Sequence, residues 1–209
     1  KDYYELSIEG DGVWDLSRGI LAQVKDLTTL VCIQLPSAIR QTREKHWEFR
    51  DIKFDIAEIC IDPDQDLLIL VEEEPDYYNI HLRTLSEGKP HPQTHVPGKV
   101  RSYKTMRYSS LQIKVAGDYL AVAFEPYTWL FMQELAIWNW KTGDVHLSLR
   151  GDFVSAYSFL TLDRVLVAHG EGALRSLQVI SLQYGSQDMK DSEEVLYDCR
   201  FEFPPLGVA

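Results

Sequence analysis

Three ungapped copies of one seven-residue pattern constrain this chain more than any other feature in it. "LRTLSEG" at 82–88, "IWNWKTG" at 137–143 and "VISLQYG" at 179–185 each open on an apolar residue, carry an apolar or aromatic fourth residue and end on glycine. The glycines, Gly88, Gly143 and Gly185, lie 55 and 42 residues apart. Ahead of each copy an aspartate opens an apolar stretch: "DLLILV" from Asp66, "DYLAVA" from Asp118 and "DRVLVA" from Asp163. The aspartate-to-glycine interval is 22, 25 and 22 residues. One more short stretch precedes each aspartate: "EICID", "LQIKV" and "AYSFL".

Period-two alternation broken by turn residues predicts strands. Each unit therefore reads as strand, tight turn, strand, loop, strand, glycine turn and closing strand, of which "VHLSLRG" is the clearest closing example. Four antiparallel strands recurring every 40 to 50 residues or so is the signature of a β-propeller blade. A lone twisted sheet covers neither of its faces, so blades stack and bury one another. The expected fold is all-β, a partial propeller with about three clear four-stranded blades and one degenerate N-terminal blade. The expected units are 1–50, 51–100, 108–151 and 152–190, with 191–209 starting a further strand or serving as a linker. Only "SAIRQTREKHWEF" has any helical character, and its apolar spacing is too sparse for a helix. Trp138 and Trp140 fall on one side of their strand by alternation, which suits packing between blades.

Composition narrows the partners. The formal net charge is −11, with Glu72, Glu73 and Glu74 in one run. Such a balance opposes non-specific association with nucleic acid or anionic membrane, both of which need clustered Lys and Arg. Lys99, Arg101, Lys104 and Arg107 are grouped, and are expected in a solvated loop. No apolar run reaches the roughly 18 to 20 residues of a membrane helix. The opening "KDYYELSIEGDG" lacks the apolar core of a leader peptide. Cys32, Cys60 and Cys199 are odd in number and far apart, a spacing that gives no disulfide framework. An intracellular, reducing setting, cytoplasmic or nuclear, is the expectation.

The ordered set of segments resembles a family. "IWNWKTG" is similar to the strand and turn that end in Trp-Asp in WD-repeat proteins, with Asn139-Trp140 at the place of that dipeptide. "DPDQDLLILVEE", "IHLRTLSEGKPHP", "VAGDYLAV" and "IWNWKTGDV", preceded by "GVWDLSRGILAQ", "IQLPSAIR" and Trp47, together resemble the F-box proteins of mushroom-forming fungi over residues 11 to about 185. The resemblance implies a WD-repeat-like propeller that serves as the substrate-binding part of a receptor of a cullin-RING ubiquitin ligase. The leucine-rich F-box helices of that family have no counterpart in this sequence, so adaptor binding is not expected of it.

No set of residues organised for catalysis emerges. His91 and His95 in "HPQTH" are four apart, but Pro90, Pro92 and Pro97 exclude the helix that would align them on a metal. His46, His81, His146 and His169 stand singly. The glycines of "HGEGALR" read as a hairpin between strands rather than a nucleotide-binding turn. "DPDQD" lacks the glycine and distal glutamate of a calcium loop and reads as a turn through Pro63. Neither an enzyme activity nor a cofactor or metal is expected, and the expected role is a protein-interaction scaffold. The alternative is an enzyme or small-ligand binder acting through a central channel.

Two loops stand out. "EPDYYN" and "EPYTWLFMQE" both open on Glu-Pro and both carry aromatics the alternation does not require, namely Tyr77, Tyr78, Tyr127 and Trp129. Large, stiff, amphipathic side chains on loops are favoured interface anchors. These four are the expected partner-binding residues, with continuation of a strand as the competing reading. The open blade edges of a partial propeller also create the expectation of a homodimer.

Overall fold

The computed structural model describes residues 12–75, 77–95, 101–104, 108–126, 133–151, 154–171, 174–183, 187–191 and 197–203. Among them every regular element is a strand, apart from one short 3-10 turn. The chain divides into two compact units, Lys1–Thr105 and Met106–Ala209. Each unit holds two sheets.

In the first unit, β1 (Trp14–Ser17), β2 (Ile20–Asp26), β3 (Thr29–Gln34) and β4 (Lys45–Phe49) form one antiparallel meander. Here β4 occupies part of the segment with helical character, and Trp47 faces Cys32 across the ladder. The second meander comprises β5 (Ile56–Asp62), β6 (Leu67–Glu74), β7 (Tyr77–Thr84) and β8 (Arg101–Lys104). Leu67 to Val71 of β6 are fully buried, the continuous apolar run of a strand covered on both faces. Between the two sheets lies one core that includes Ala22, Leu30, Cys32, Ile59, Leu68 and Leu70. The sheets are also stitched by a side chain, since Asp15 Oδ2 on β1 accepts the Ile61 N–H on β5 at 2.8 Å.

In the second unit, β9 (Tyr108–Ala116), β10 (Tyr119–Pro126), β11 (Gln133–Asn139) and β12 (Val145–Gly151) form the third meander. The fourth sheet contains β13 (Val154–Thr161), β14 (Arg164–Glu171), β15 (Leu174–Ser181) and β17 (Cys199–Phe203). Leu135, Ile137, Leu147, Leu149, Val165, Val167 and Ile180 build the core between them.

The observed boundaries depart from the expected ones where backbone groups need partners. Arg101 and Lys104, expected in a solvated loop, belong to β8, which satisfies the free edge of β7 between Tyr77 and Ile80. Lys99 and Arg107 lie outside the described residues. The third sheet has a fifth strand, β16 (Gln187–Asp191), running parallel to β12 along its open edge. The fourth sheet is closed only afterwards, by β17 from the segment 191–209.

One arrangement repeats in all four sheets. The residue just after the third strand donates its N–H to the carbonyl just before the second: Leu35 to Gly19 at 2.8 Å, Leu85 to Asp66 at 2.8 Å, Trp140 to Asp118 at 2.9 Å and Leu182 to Asp163 at 2.9 Å. Leu85, Trp140 and Leu182 are the fourth residues of the sequence repeat, and all three are buried. The aspartate carboxylates bind the next residue along. Asp66 accepts from Ser86 N and Oγ at 2.7 Å each, Asp118 pairs with Lys141 Nζ at 2.6 Å, and Asp163 accepts from Gln183 Nε2 at 2.6 Å. In the first sheet Gly19 stands where the other three have aspartate, which is why that blade looked degenerate.

The glycines that end the first two heptapeptides close the same turn. Gly88 N donates to Thr84 O at 2.8 Å and Gly143 N to Asn139 O at 2.7 Å. Their φ values, +69° and +85°, lie in the left-handed region that disfavours side chains. Gly185 lies outside the described residues.

Candidate functional site

Of the expected partner-binding aromatics, Tyr77 and Tyr78 do not share a surface. Tyr77 and Tyr78 are not loop residues but open β7, pairing with Glu74 and Glu73 of β6. Strand alternation then sends them to opposite faces: Tyr77 is 45% exposed, whereas Tyr78 is 4% exposed and packed inside. The expected loop is largely taken up by the strands, whose pairing runs to Glu74 and Tyr77. Tyr127 and Trp129 lie outside the described residues.

The histidines are each engaged separately. His91 is buried, with Nε2 3.0 Å from Gln65 O and Nδ1 3.3 Å from Gln93 N. A backbone N–H at Nδ1 makes that nitrogen the acceptor, so Nε2 carries the hydrogen and donates to Gln65 O. His91 thus braces the loop between β7 and β8. Among the described residues no group of three His, Cys, Asp or Glu side chains is placed to hold a metal ion.

His81 stands singly in the sequence, but the β6–β7 register gives it a carboxylate. Glu72 Oε2 lies 3.0 Å from His81 Nε2 and accepts from Asn79 Nδ2 at 3.0 Å. Phe54 stacks on the imidazole, with centroids 4.1 Å apart at 14°. Burial lowers the His81 pKa, and Glu72 opposes that without overcoming it. Burial beside the Arg200 charge likewise lowers that of His169. The hairpin register, with Glu72 opposite Asn79, was the signal that could have exposed this cluster in the sequence.

An open recess lies at one end of the first sheet, where the β1–β2 turn meets the loop between β3 and β4. It has a volume of about 540 Å³, and Arg18, Gln34, Ser37, Ile39, Arg40 and Thr42 are among the residues lining it. The β3–β4 loop is tied at its base by two backbone hydrogen bonds between Ser37 and Thr42, at 3.1 and 3.0 Å. Ser37 Oγ accepts the Arg40 N–H at 3.2 Å, and Gln34 Nε2 donates to Arg43 O at 2.8 Å. Arg40 Nη1 crosses to the other rim and donates to Arg18 O at 2.8 Å. Arg18 pairs in turn with Asp64 at 2.9 Å. Arg18 and Gln41 hold positive φ, 53° and 54°, a conformation that non-glycine residues keep only when their surroundings enforce it. Ile39 stands at the rim, 97% exposed. The lining contains no carboxylate, imidazole or thiol, so it lacks the usual general acids and bases. It suits binding. Sequence reading missed this site because its two arginines are 22 residues apart and only the meander joins them.

No helix among the described residues is long and apolar enough to cross a membrane. No family model matches the chain. No curated protein matches it either. Solved structures do. Kluyveromyces lactis Hsv2 aligns at 13% identity with a TM-score of 0.52, over 92% of this chain and 62% of that one. A Kluyveromyces lactis Hsv2 structure with a complete loop 6CD aligns at 13% identity and a TM-score of 0.53, over 92% of this chain and 62% of that one. A third, of Kluyveromyces lactis Hsv2p, aligns at 12% identity and 0.52, over 92% and 61%. The chain thus spans less than two thirds of the proteins it matches. Likeness at this identity speaks to fold, and the fold is that of a partial β-propeller.

Proposed function

We propose that this chain is a protein-binding propeller module that holds a partner without acting on it chemically. The observation that carries the reading is the recess at the end of the first sheet. Its loops are braced by hydrogen bonds, its lining presents guanidinium and apolar groups, and it lacks acid–base residues. Rigid strands supporting a preformed loop site lower the ordering cost of recognition.

The resemblance to F-box proteins supports the finer form of this reading, in which the propeller holds the substrate of a cullin-RING ubiquitin ligase. Affinity purification of the full-length parent protein tests it. Recovery of cullin and adaptor subunits with the parent supports the ligase role, and recovery of partners without them overturns it while leaving the binding role intact. If Arg40→Glu leaves the recovered partner set unchanged, the recess is not the site.

A second reading, self-association, is favoured by the fourth sheet. Its terminal strand β17 is exposed along its length, with Phe201 57% and Phe203 50% exposed. Both phenylalanines and Cys199 fall on one face by alternation. An open edge next to exposed aromatics is what a second copy would cover.

A further inference from the structure

We infer that the recess at the end of the first sheet is a site for an acidic segment of a protein partner. Arg40, with Arg18, receives the carboxylate, and Ile39 with Leu35 and Pro36 takes an adjoining apolar side chain. The inference rests on the reading of the chain as a partner-binding module and specifies the chemistry of that partner.

Charge is the first argument. The chain carries a formal net charge of −11, yet two arginines, Arg18 and Arg40, line this recess and Arg40 reaches across it to Arg18. Asp64 is already engaged with Arg18, Glu44 with His46 at 2.6 Å, and Glu48 with Arg50. Among the described residues Arg40 has no carboxylate partner. Its one side-chain bond, to Arg18 O, fixes the guanidinium and leaves its other N–H donors for a ligand. A guanidinium held in this way is suited to two-point binding of a carboxylate.

The shape supports the same ligand. A volume of about 540 Å³ takes one or two side chains, not a folded domain. Ile39 at the rim, 97% exposed, lies in the same loop as Arg40 and flanks the charged site with an apolar contact. The Arg18–Asp64 pair is solvent-exposed, with side chains 63% and 59% accessible, so it exchanges readily when a second carboxylate arrives. A polyanion such as nucleic acid is disfavoured. Two arginines neutralise few phosphates, and the rest of the chain repels them.

Fluorescence anisotropy with a labelled peptide of alternating Glu and Leu tests the site, with the Gln–Leu analogue, a phosphoserine–Leu peptide and single-stranded DNA as comparisons. The expected result is saturable binding of the Glu–Leu peptide, weakened about tenfold or more by Arg40→Gln and by Ile39→Ser, with only Arg40→Gln reducing the salt dependence. A thermal melt of Arg40→Gln close to the parent's shows that the loss is not unfolding. Equal binding of the Gln–Leu peptide overturns the proposal, as does an Arg40→Gln variant that binds unchanged. Binding confined to the phosphoserine peptide or to DNA assigns the arginines to phosphate and overturns the acidic-segment reading. Partners that the chain captures equally well with and without Arg40→Gln leave the module reading standing and this site refuted. Capture of no partner by either form refutes the module reading itself.

Discussion

The carbonyl of Asp118 accepts the N–H of Trp140 at 2.9 Å, and the Trp140 indole N–H donates to Gly117 O, one residue back, at 3.0 Å. The tryptophan just after the third strand is thereby bolted to the turn that opens the second. Lys141 strengthens the clasp, with Nζ 2.6 Å from Asp118 Oδ1 and 5.1 Å from the centre of the Trp140 ring. Because Leu85 and Leu182 are held in the same way, the two halves of the sequence repeat prove to be two halves of one contact.

Trp140 is 2% exposed. Trp140→Ala should therefore cost about 3 to 5 kcal/mol, the usual range for truncating a buried aromatic. Urea denaturation followed by circular dichroism measures it. A cost below about 1 kcal/mol would show that the clasp contributes little to folding.

The aspartates should not be equivalent. Asp66 receives two bonds from Ser86 and sits at φ 52°, whereas Asp118 makes a partly exposed ion pair. Asp66→Ala should cost about 1 to 2 kcal/mol by removing both bonds to Ser86 and straining the turn. Asp118→Ala should cost under about 1 kcal/mol. Asp66→Asn, which tolerates the left-handed conformation, should fall between them in the same urea experiment.

Gly88 and Gly143 separate two costs of adding a Cβ. At Gly143 nothing lies within 4 Å, so Gly143→Ala carries the conformational penalty alone, about 1 to 2 kcal/mol. At Gly88 the new carbon would meet Phe49 Cδ1 at 2.6 Å. Gly88→Ala should be the worse of the two by about 1 to 3 kcal/mol of overpacking. Matched melting temperatures for the two variants would contradict the Phe49 contact.

Acid should destabilise the first unit through His81 and the second through His169. Burial lowers both pKa values below the ordinary histidine range, so the folded chain holds these rings neutral while the unfolded chain protonates them. With more protons bound in the unfolded state, stability falls as pH drops through about 6.5 and levels off once the folded rings also titrate. Thermal melts from pH 8 to 5 should show this loss, and His169→Gln should flatten it. An unchanged slope in that variant counts against the assignment.

Thiol labelling should distinguish the three cysteines. Cys32 is buried and its pKa is pushed up to about 12; Cys60 is buried too, and its pKa is raised further by burial beside Asp15. Cys199 is exposed on β17. Iodoacetamide at pH 8 should add one label to the native chain, at Cys199, and three after denaturation. Mass spectrometry reads the count, and fast labelling of Cys32 in the native state would contradict the core packing.

Much of this architecture was legible from one dimension of information. The short apolar run "LLILV" and its counterparts, the aspartates ahead of them and the glycines behind them specify strands and turns, because strand preference and positive φ are local properties of the chain. The same local logic made "HPQTH" a loop and "DPDQD" a turn. What the sequence could not determine is where chain segments distant in sequence meet. The strand assignment of Arg101, the parallel placement of β16 and the late closure of the fourth sheet by β17 all follow from edges seeking hydrogen-bond partners. Tyr78 turned inward because pairing with β6 runs to the end of the hairpin, and no pattern marks that end. The recess depends on Arg40 reaching the carbonyl of Arg18, a contact that exists only because the meander brings the start of β2 beside the end of β3. Local periodicity wrote the strands, and long-range hydrogen bonding decided which residues face the solvent together.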